Sequence, residues 1–327
     1  MNRHLRQWLT GIGTRQEYLC LALEDVTDTF SVHLTTRLDE RSLDVTATHL
    51  FIGYSPLIMA VPFTGVDGAA RADEICLSFD ATGFGIDTRW RGFPASGASI
   101  ARLHLRRIGE RRMGESQVVF YAGVFGWHRM LGAFHRVMND WLQRLKKKPP
   151  GNVALHGNLY EQVRIAYAVP RIISLVSVGD AAGMNLFPTD LHGPVGEAHY
   201  VSSLRVGGRA CEQVETARRI VISQVDAAAF QAVYRLGKNH MKPLASRADF
   251  DLHATASATF GIPLPRAVVQ YRELEWYDSF DWGIHRLFCY RTLHRERVGD
   301  ARRLAHVHNC YAQWRANAGL RTEYLLR

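Results

Sequence analysis

Residues 170–219 read PRIISLVSVGDAAGMNLFPTDLHGPVGEAHYVSSLRVGGRACEQVETARR. Arg171 to Val178 form a short apolar run between a proline and a Gly-Asp pair, which is typical of a buried strand that ends in a turn. After a polar segment, a second strand is predicted over Tyr200 to Arg205. A loop with two glycines leads from it into a short helix over Gln213 to Arg219. This mixture of strands and helices predicts an α+β fold.

Regular patterns continue downstream of this region. Ala227 to Leu236 has a helical pattern that is preceded by an aspartate cap and followed by a glycine. Ala267 to Trp276 and His285 to Leu293 predict two antiparallel strands. The segment from Asp300 to Asn317 is predicted to be a helix that packs on the outside of the fold.

The first half also combines strand and helix patterns. Arg15 to Leu23 predicts a helix, and a longer helix is predicted over Trp127 to Leu145, where apolar residues recur every three or four positions. The sequence KKKPPGN at Lys146 to Asn152 ends this helix, because prolines cannot continue it. We therefore expect two domains, residues 1–150 and residues 151–327, of which the first is α+β and has no assigned role. Strands of the first domain are predicted over Phe30 to Thr35, Leu43 to Thr48, Leu57 to Phe63, Ile75 to Phe79, Arg102 to Arg112 and Gln117 to Tyr121.

The composition is that of a globular protein. Of the 327 residues, 47% are hydrophobic and 22% are charged, and no apolar run approaches the ~20 residues of a membrane span. The N-terminal sequence lacks the pattern of a signal peptide, so we expect a cytoplasmic protein that does not bind membranes. The five cysteines are scattered and never form a CxxC pair, which argues against a disulfide framework or a structural zinc site.

The formal net charge of +9 indicates an anionic partner. Nucleic acid and phosphorylated cofactors are both candidates for that partner. Because the basic residues are spread over the whole chain, we expect no nucleic-acid binding. The densest basic run lies within Arg102 to Arg112, where charged and apolar residues alternate, and it is interpreted as a strand with one solvated face.

Several common cofactor and catalytic motifs are missing from the sequence. The Gly-x-Gly pairs that begin at Gly11 and Gly83 are not completed to GxGxxG, so no Rossmann dinucleotide site is indicated. No P-loop, HExxH or GxSxG motif occurs. His306 and His308 are two positions apart on a predicted helix and would face different ways, so we interpret them as surface residues and predict no metal site.

The order of elements over Leu159 to Arg297 resembles that of the flavin reductase family, the FMN-binding split-barrel proteins. In that family a strand and a turn precede an Asn-x-x-Pro-Ser/Thr segment, which is followed by a second strand, a basic loop and a helix. The corresponding segment here is Asn185-Leu-Phe-Pro-Thr189, and the basic loop follows Arg205. The resemblance implies a C-terminal split β-barrel with flanking helices, bound FMN, and a homodimer with the flavin near the subunit interface.

The resemblance also implies which residues hold the flavin. Asn185 to Asp190 would run beside the ring and the ribityl chain, Ser203 to Arg205 would lie near the ring edge and the phosphate, and Arg209 to Gln213 would form the phosphate-side loop. A phosphate needs backbone N–H groups and an arginine, which such a loop can supply. Asn and Thr are also ordinary turn residues around a proline, and Arg209 is equally a candidate for a solvated loop residue. The predicted cofactor-binding residues are Asn185, Leu186, Phe187, Thr189, Asp190, Ser203, Leu204, Arg205, Gly208, Arg209, Cys211 and Gln213.

His285 is the predicted catalytic residue. Many flavin reductases carry Gly-Asp-His before a late strand, and this sequence has Gly283-Ile284-His285, in which isoleucine replaces the aspartate. In the family this histidine lies near the flavin and the nicotinamide. A lone histidine at the start of a strand can equally be structural. The aromatic residues within Trp276 to Trp282 are candidates either for a flavin wall or for core packing.

Three functions are open at this point. The first is an NAD(P)H:FMN oxidoreductase, in which NADH or NADPH passes a hydride to flavin N5 and the reduced flavin supplies a partner monooxygenase or reduces a bound substrate. The second is an FMN-dependent oxidase or oxygenase that acts on a specific organic substrate, with the first domain shaping the substrate pocket. The third is a non-catalytic flavin-binding module whose first domain recruits a partner.

Overall fold

The structure is a computed structural model that describes residues 2–23, 30–36, 42–64, 72–81, 99–145, 153, 155, 157–180 and 182–320. The predicted domain boundary at 146–152 lies outside these residues. The helices are α1 (Arg3–Thr10), α2 (Ala133–Leu145), α3 (Gly157–Ala166), α4 (Arg209–Ala217), α5 (Phe230–Arg235) and α6 (Asn309–Asn317), with 3-10 helices over Ala227–Ala229, Leu236–Met241 and Arg247–Asp249. The strands are β1 (Tyr18–Ala22), β2 (Ser31–Thr36), β3 (Leu43–Asp44), β4 (Leu50–Tyr54), β5 (Leu57–Thr64), β6 (Glu74–Asp80), β7 (Ser99–Met113), β8 (Ser116–His128), β9 (Arg171–Ile172), β10 (Ser174–Gly179), β11 (Met184–Thr189), β12 (His192–Val195), β13 (His199–Arg205), β14 (Arg219–Val225), β15 (Leu252–Ala256), β16 (Pro263–Pro265), β17 (Val268–Trp282), β18 (His285–Arg297) and β19 (Leu304–His308).

Most of these strands belong to two antiparallel sheets of seven strands each. The first sheet has the order β3-β2-β6-β7-β8-β5-β4, and the second has the order β11-β10-β14-β17-β18-β13-β12. When the strands of each sheet are numbered along the chain, both orders become 2-1-5-6-7-4-3. The α+β class predicted from the sequence is confirmed, and the chain contains the same sheet topology twice.

The longest hairpin of each sheet has the same design. Both hairpins turn through two residues, between Met113 and Ser116 in β7–β8 and between Trp282 and His285 in β17–β18. The first turn residue is a glycine with positive φ in each case, which two-residue hairpin turns of this kind favour. The residues of the two hairpins can therefore be matched by counting outward from the turns.

The matched hairpins also carry β-bulges at the same places. On the first strand of each hairpin the unpaired residue is Ile108 in β7 and Tyr277 in β17. On the second strand it is Val124 in β8 and Leu293 in β18. A bulge bends a strand and increases its twist. Both hairpins therefore curve in the same way, which extends the match from strand order to local geometry.

The two sheets pack against each other through equivalent strands. Counted from the turns, Phe120 of β8 corresponds to Cys289 of β18, and both are buried in the contact between the sheets. Leu50 of β4 meets Gly193 of β12, where a Cβ atom would come within 2.3 Å of the leucine Cδ2. The shared cluster contains Leu50, Ile52, Ile58, Ala60, Met113, Val118, Phe120, Val195, Val201, Leu287 and Cys289. Contact between the same faces of two related units is the arrangement found in symmetric dimers.

A smaller sheet, β1-β19-β9, joins distant parts of the chain. The prediction of a helix over Arg15 to Leu23 is wrong, because residues Tyr18–Ala22 form β1 and pair with β19. Four consecutive residues of β1 are buried, and a short run of this kind has no periodicity that distinguishes a strand from a helix. The predicted helix from Asp300 to Asn317 is correct only for α6, since Leu304–His308 form β19.

Helix α2 starts later than predicted, since residues 127–128 belong to β8. It contacts the rest of the protein through polar groups: the Asn139 amide donates to the Thr10 carbonyl (2.7 Å), and the Gln143 amide donates to the Tyr160 hydroxyl (2.5 Å). The apolar stripe that predicted the helix is largely exposed. The exposed members are Phe134, Val137, Trp141 and Leu145.

We expect Phe120→Ala to lower the free energy of unfolding by about 3–5 kcal/mol, because it leaves a void in the contact between the sheets. The Phe120 ring is fully buried and meets Phe280 edge-on with centroids 4.9 Å apart. Urea unfolding followed by circular dichroism measures the change. The control is Phe134→Ala on the exposed side of α2, for which a change within about 0.5 kcal/mol is expected. Equal effects of the two variants would contradict this account of the packing.

Candidate functional site

A cavity of about 690 Å³ lies at the junction of the two sheets, where β13 ends. Its volume is within the ~300–1,000 Å³ typical of cofactor and ligand sites. The walls come from β11, β13, the start of α4, the 3-10 helix Leu236–Met241, the first residue of β18 and the last residue of β4. The lining residues are Tyr54, Pro188, Thr189, Asp190, Leu191, Ser203, Leu204, Arg205, Gly208, Ala210, Cys211, Tyr234, Gly237, Lys238, His240, Met241 and His285.

His285 connects the two sheets beside this cavity. Its Nε2 atom lies 3.2 Å from the backbone nitrogen of Tyr54, and its Nδ1 atom lies 3.4 Å from the hydroxyl of Ser203. Because a backbone N–H can only donate, Nε2 accepts from Tyr54 and the ring proton is assigned to Nδ1, which donates to Ser203. The Ser203 hydroxyl in turn donates to the carbonyl of Ile52. This chain of hydrogen bonds starts and ends on β4.

Both nitrogens of the His285 ring are thus used within the protein. The residue is 1% exposed, and its ring meets the Tyr54 ring edge-on with centroids 4.7 Å apart. Burial, together with the positive charge of Arg205, lowers the pKa of His285 to about 4. The imidazole is therefore neutral near pH 7. The sequence predicts a catalytic role for His285, whereas this geometry favours a positioning role between the sheets.

The end of the cavity next to α4 is basic. Arg205 and Lys238 lie on its rim with exposed side chains. Helix α4 begins here with Gly208 as its N-cap, so no side chain caps the first N–H groups of the helix. The Cys211 N–H donates to the Gly208 carbonyl (3.0 Å), and the N–H groups of the first turn carry a partial positive charge. An anionic group bound here would meet two cations and a helix N-terminus.

A second group of titratable side chains borders the cavity on the other side. The carboxylate of Asp190 accepts hydrogen bonds from the Tyr167 hydroxyl and from Nε2 of His306, each at 2.6 Å. Burial acts to raise the pKa of Asp190, but the interactions with His306 and Tyr167 outweigh it and leave this pKa below its usual value. Nδ1 of His306 lies 3.3 Å from the hydroxyl of Tyr234. Asp190 and Tyr234 also line a smaller cavity of about 270 Å³.

The structure brings many of the predicted site residues together but not all of them. Arg209 is exposed, forms an ion pair with Glu212 (3.1 Å) and lines a neighbouring cavity, as does Gln213. Leu186 and Phe187 are buried in the core. Those that line the 690 Å³ cavity are Thr189, Asp190, Ser203, Leu204, Arg205, Gly208, Cys211 and His285.

Asn185 joins elements behind the cavity wall. It is 1% exposed, and its Nδ2 atom donates to the Gln213 side chain (2.8 Å) and to the Asn239 carbonyl (2.9 Å). Its Oδ1 atom accepts from the backbone N–H of Leu186 (2.8 Å). Asn185 therefore ties β11 to α4 and to the 3-10 helix that forms part of the cavity wall.

Several lining residues were not identified from the sequence. Tyr54 comes from the first sheet, and no pattern in its neighbourhood pointed to a site. Tyr234 lies in the predicted helix Ala227 to Leu236, whose spacing did not show which face meets the cavity. Lys238, His240 and Met241 follow the predicted end of that helix at Gly237 and belong to a 3-10 helix that was not predicted. The aromatic residues of β17 do not line the cavity, and Tyr277 and Phe280 pack between the sheets.

Among the residues that the structure describes, no group of three or more His, Cys, Asp or Glu side chains could hold a metal ion. Within the same residues, no helix is long and apolar enough to cross a membrane. The interpretation of His308 as a surface residue is wrong, because it is 1% exposed and its Nδ1 atom caps α6 by accepting from the Cys310 N–H. His306 and His308 lie on strand β19, where alternate residues share a face.

Comparisons with known proteins found solved structures that are similar to part of this chain. No family model matches the chain, and no curated protein matches it. The NADH:FAD oxidoreductase SgcE6 of Streptomyces globisporus is similar with 14% identity and a TM-score of 0.41, over 50% of this chain and 96% of that one. BorF, the flavin reductase component of a bacterial two-component tryptophan halogenase, is similar with 18% identity and a TM-score of 0.40, over 46% of this chain and 94% of that one.

An FMN-binding protein from Thermus thermophilus is similar with 17% identity and a TM-score of 0.35, over 46% of this chain and 79% of that chain. Over about half of its length, the chain is thus similar to flavin reductases and FMN-binding proteins. The resemblance noted in the sequence is also found among solved structures.

We expect the stability of the protein to fall as the pH decreases from about 6.5 to about 4. In this range an unfolded histidine binds a proton, whereas the buried His285, with its pKa of about 4, does not. His285→Gln removes this difference, so the dependence of the unfolding free energy on pH should become shallower by up to about 1.4 kcal/mol per pH unit. Urea unfolding between pH 4.5 and 6.5 measures the slope. His4→Gln on the exposed helix α1 is the control, and an equal change in both variants would contradict the expectation.

Proposed function

We propose that this protein is a flavin-dependent oxidoreductase that binds FMN in the 690 Å³ cavity and accepts hydride from NADH or NADPH. The observation that carries the proposal is the charge pattern of the cavity. Arg205, Lys238 and the N-terminus of α4 meet at one end, and apolar residues line the space beside them. A phosphorylated ligand with a flat apolar ring matches both parts.

The basic end suits the phosphate of FMN. The guanidinium of Arg205 can donate two hydrogen bonds to one phosphate, and the helix N–H groups beyond Gly208 can donate others. Lys238, in the 3-10 helix Leu236–Met241, adds a second positive charge to the lining. The net charge of +9 favours the approach of the anion.

The middle of the cavity suits the isoalloxazine ring. Pro188, Leu191, Leu204 and Met241 supply apolar contacts, and Tyr54 supplies an aromatic ring. Bound FMN would supply the hydride chemistry at its ring, which needs no side-chain base. The role of the protein is then to hold the ring, to exclude water and to fix the two walls. In this scheme His285 positions Tyr54 and Ser203 through its hydrogen bonds and does not act as a general acid toward the flavin.

The biological role that we propose is the supply of reduced flavin to a partner monooxygenase in the cytoplasm. Residues 151–327 would form the FMN-binding split-barrel domain, and residues 1–150 would form an α+β domain that provides one wall of the cavity through Tyr54. The phosphate-binding rim is exposed at Arg205 and Lys238, which is compatible with a flavin that enters and leaves.

One observation favours a second candidate, an FMN-dependent oxidase or oxygenase that acts on an organic substrate. The hydrogen-bonded group of Asp190, His306 and Tyr234 opens into the same cavity and could move a proton to or from a substrate. A reductase that only passes hydride to flavin has no need of such a group. In the first candidate NADH or NADPH reduces the bound flavin, whereas in the second neither dinucleotide reduces it.

Titration with FMN and FAD, followed by anaerobic addition of NADH or NADPH, tests both candidates. We expect FMN to bind and its visible absorbance to be bleached rapidly by one of the dinucleotides. Flavin that binds but resists both dinucleotides would favour the oxidase or a non-catalytic flavin-binding module. A protein that binds neither flavin would refute the proposed function.

We expect Arg205→Ala to raise the dissociation constant of FMN at least about tenfold, because a hydrogen bond to a charged group is worth ~1.5–3 kcal/mol. The matched control is Arg209→Ala, four residues along the chain, since the Arg209 side chain is paired with Glu212 outside the cavity. Fluorescence titration of FMN measures both values. Equal losses in the two variants would place the phosphate elsewhere, and no loss in either would remove Arg205 from the site.

A further inference from the structure

The repeated sheet allows each cavity residue to be matched with its counterpart in the first sheet. In the second sheet Arg205 pairs with His285 at the end of β13 and the start of β18. At the same place in the first sheet, Thr64 pairs with Ser116. The first sheet thus has neither the guanidinium that the proposed function assigns to the phosphate nor the imidazole that links the two sheets.

At two further equivalent positions, the side chain that helps to build the cavity is also missing. Ser203 corresponds to Pro62, because each lies two positions before the strand-end pair. Tyr54 follows the Gly53–Ile58 pair of its hairpin, and Gly196 follows the equivalent Val195–His199 pair. Proline has no side-chain donor or acceptor to replace the Ser203 hydroxyl, and glycine lacks the aromatic ring of Tyr54. With Ser116 in place of the imidazole and Pro62 in place of Ser203, the hydrogen-bond chain cannot form at the equivalent position.

The connection that follows the matched strand also differs in length between the copies. In the second sheet, residues 206–218 connect β13 to β14 and contain α4. In the first sheet only residues 65–73 connect β5 to β6.

The first sheet nevertheless contributes to the cavity of the second. Tyr54 lines this cavity, and its backbone N–H holds the His285 ring. The carbonyl of Ile52 on the same strand accepts the last hydrogen bond of the chain. Gly283, in the turn before His285, packs so closely on the Ser55–Pro56 turn that a Cβ atom would lie 2.3 Å from the Pro56 Cδ atom. The cavity is incomplete without the first sheet.

From these differences we infer that the first half of the chain acts as an internal partner subunit that completes a single flavin site and binds no flavin itself. The inference rests on the proposed function for the identity of the ligand. The family resemblance implies a homodimer in which a second subunit lies near the flavin. In this chain, residues of the first half take the place of that subunit in building the site. One chain should bind one FMN.

Native mass spectrometry of the full chain with saturating FMN tests the stoichiometry. The expected result is one FMN per chain of 37.0 kDa. Two FMN per chain would show that the first sheet has kept a site, and one FMN per two chains would show that a second copy is needed. Either result overturns the inference and leaves the proposed function standing. Absence of any bound flavin, in either FMN or FAD solutions, overturns both.

Variants at matched positions test the contribution of each sheet. Thr64→Ala and Arg205→Ala change equivalent residues, and we expect the FMN dissociation constant to change by less than about twofold in the first and at least about tenfold in the second. Tyr54→Ala should raise it about three- to tenfold, and Tyr54→Phe, which retains the ring, should restore most of the affinity. Unfolding curves establish that each variant is folded. Unchanged affinity in Tyr54→Ala, or a tenfold loss in Thr64→Ala, would overturn the inference.

Discussion

The cavity depends on the hydrogen bonds that hold the His285 ring between β4 and β13. Tyr54 donates to one nitrogen, and Ser203 accepts from the other. Arg205 is the cross-strand partner of His285, so the basic wall and the aromatic wall of the cavity are both fixed relative to one imidazole. A buried polar group that loses its partner costs ~1–3 kcal/mol, which penalises any arrangement in which the sheets separate. The neutral state that burial imposes on the ring is the state that these bonds require.

Much of the fold could be predicted from the sequence, because the strands of both large sheets alternate buried and exposed residues or form short apolar runs. The periodicity failed for β1, which is buried on both faces, whereas for α2 it predicted the helix but not that Phe134, Val137, Trp141 and Leu145 are exposed. The site could be predicted only where its residues are close in sequence, as in β13 and the loop after it. Tyr54 lies far away along the chain, and its role arises from a contact between sheets. Asn185 was identified from its motif, but its side chain points into a network behind the wall.

The repeat was not visible in the sequence because it is a repeat of backbone pairing and not of residue types. Glu74 of β6 and Arg106 of β7 form an ion pair with a 3.4 Å separation. The equivalent residues of β14 and β17 are Arg219 and Glu275, with a 4.0 Å separation and the charges exchanged. Exposed ion pairs contribute only ~0–1 kcal/mol, so such positions are free to change while strand order and bulges persist. The similarity between the two halves is therefore seen in strand topology and register and not in the side chains.

The two copies of the sheet support different tasks, and their cores show why. The main core packs the inner face of the first sheet against α3, whose Val163 and Ile165 are fully buried in it, and the same core includes Trp314 of α6, whose ring centroid lies 5.1 Å from that of Phe30. The second sheet packs its corresponding face on α4, whose N-terminus opens into the cavity. Helix α4 lies in the connection between two strands of its sheet and can present its N-terminal N–H groups to a ligand at the strand end, whereas α3 and α6 contribute side chains to the core of the first sheet. Once a single chain holds both sheets, only one cavity needs to be maintained, and the other sheet does not need the polar residues of a site. Thr64, Pro62 and Ser116, which occupy the positions of Arg205, Ser203 and His285, agree with this division of roles.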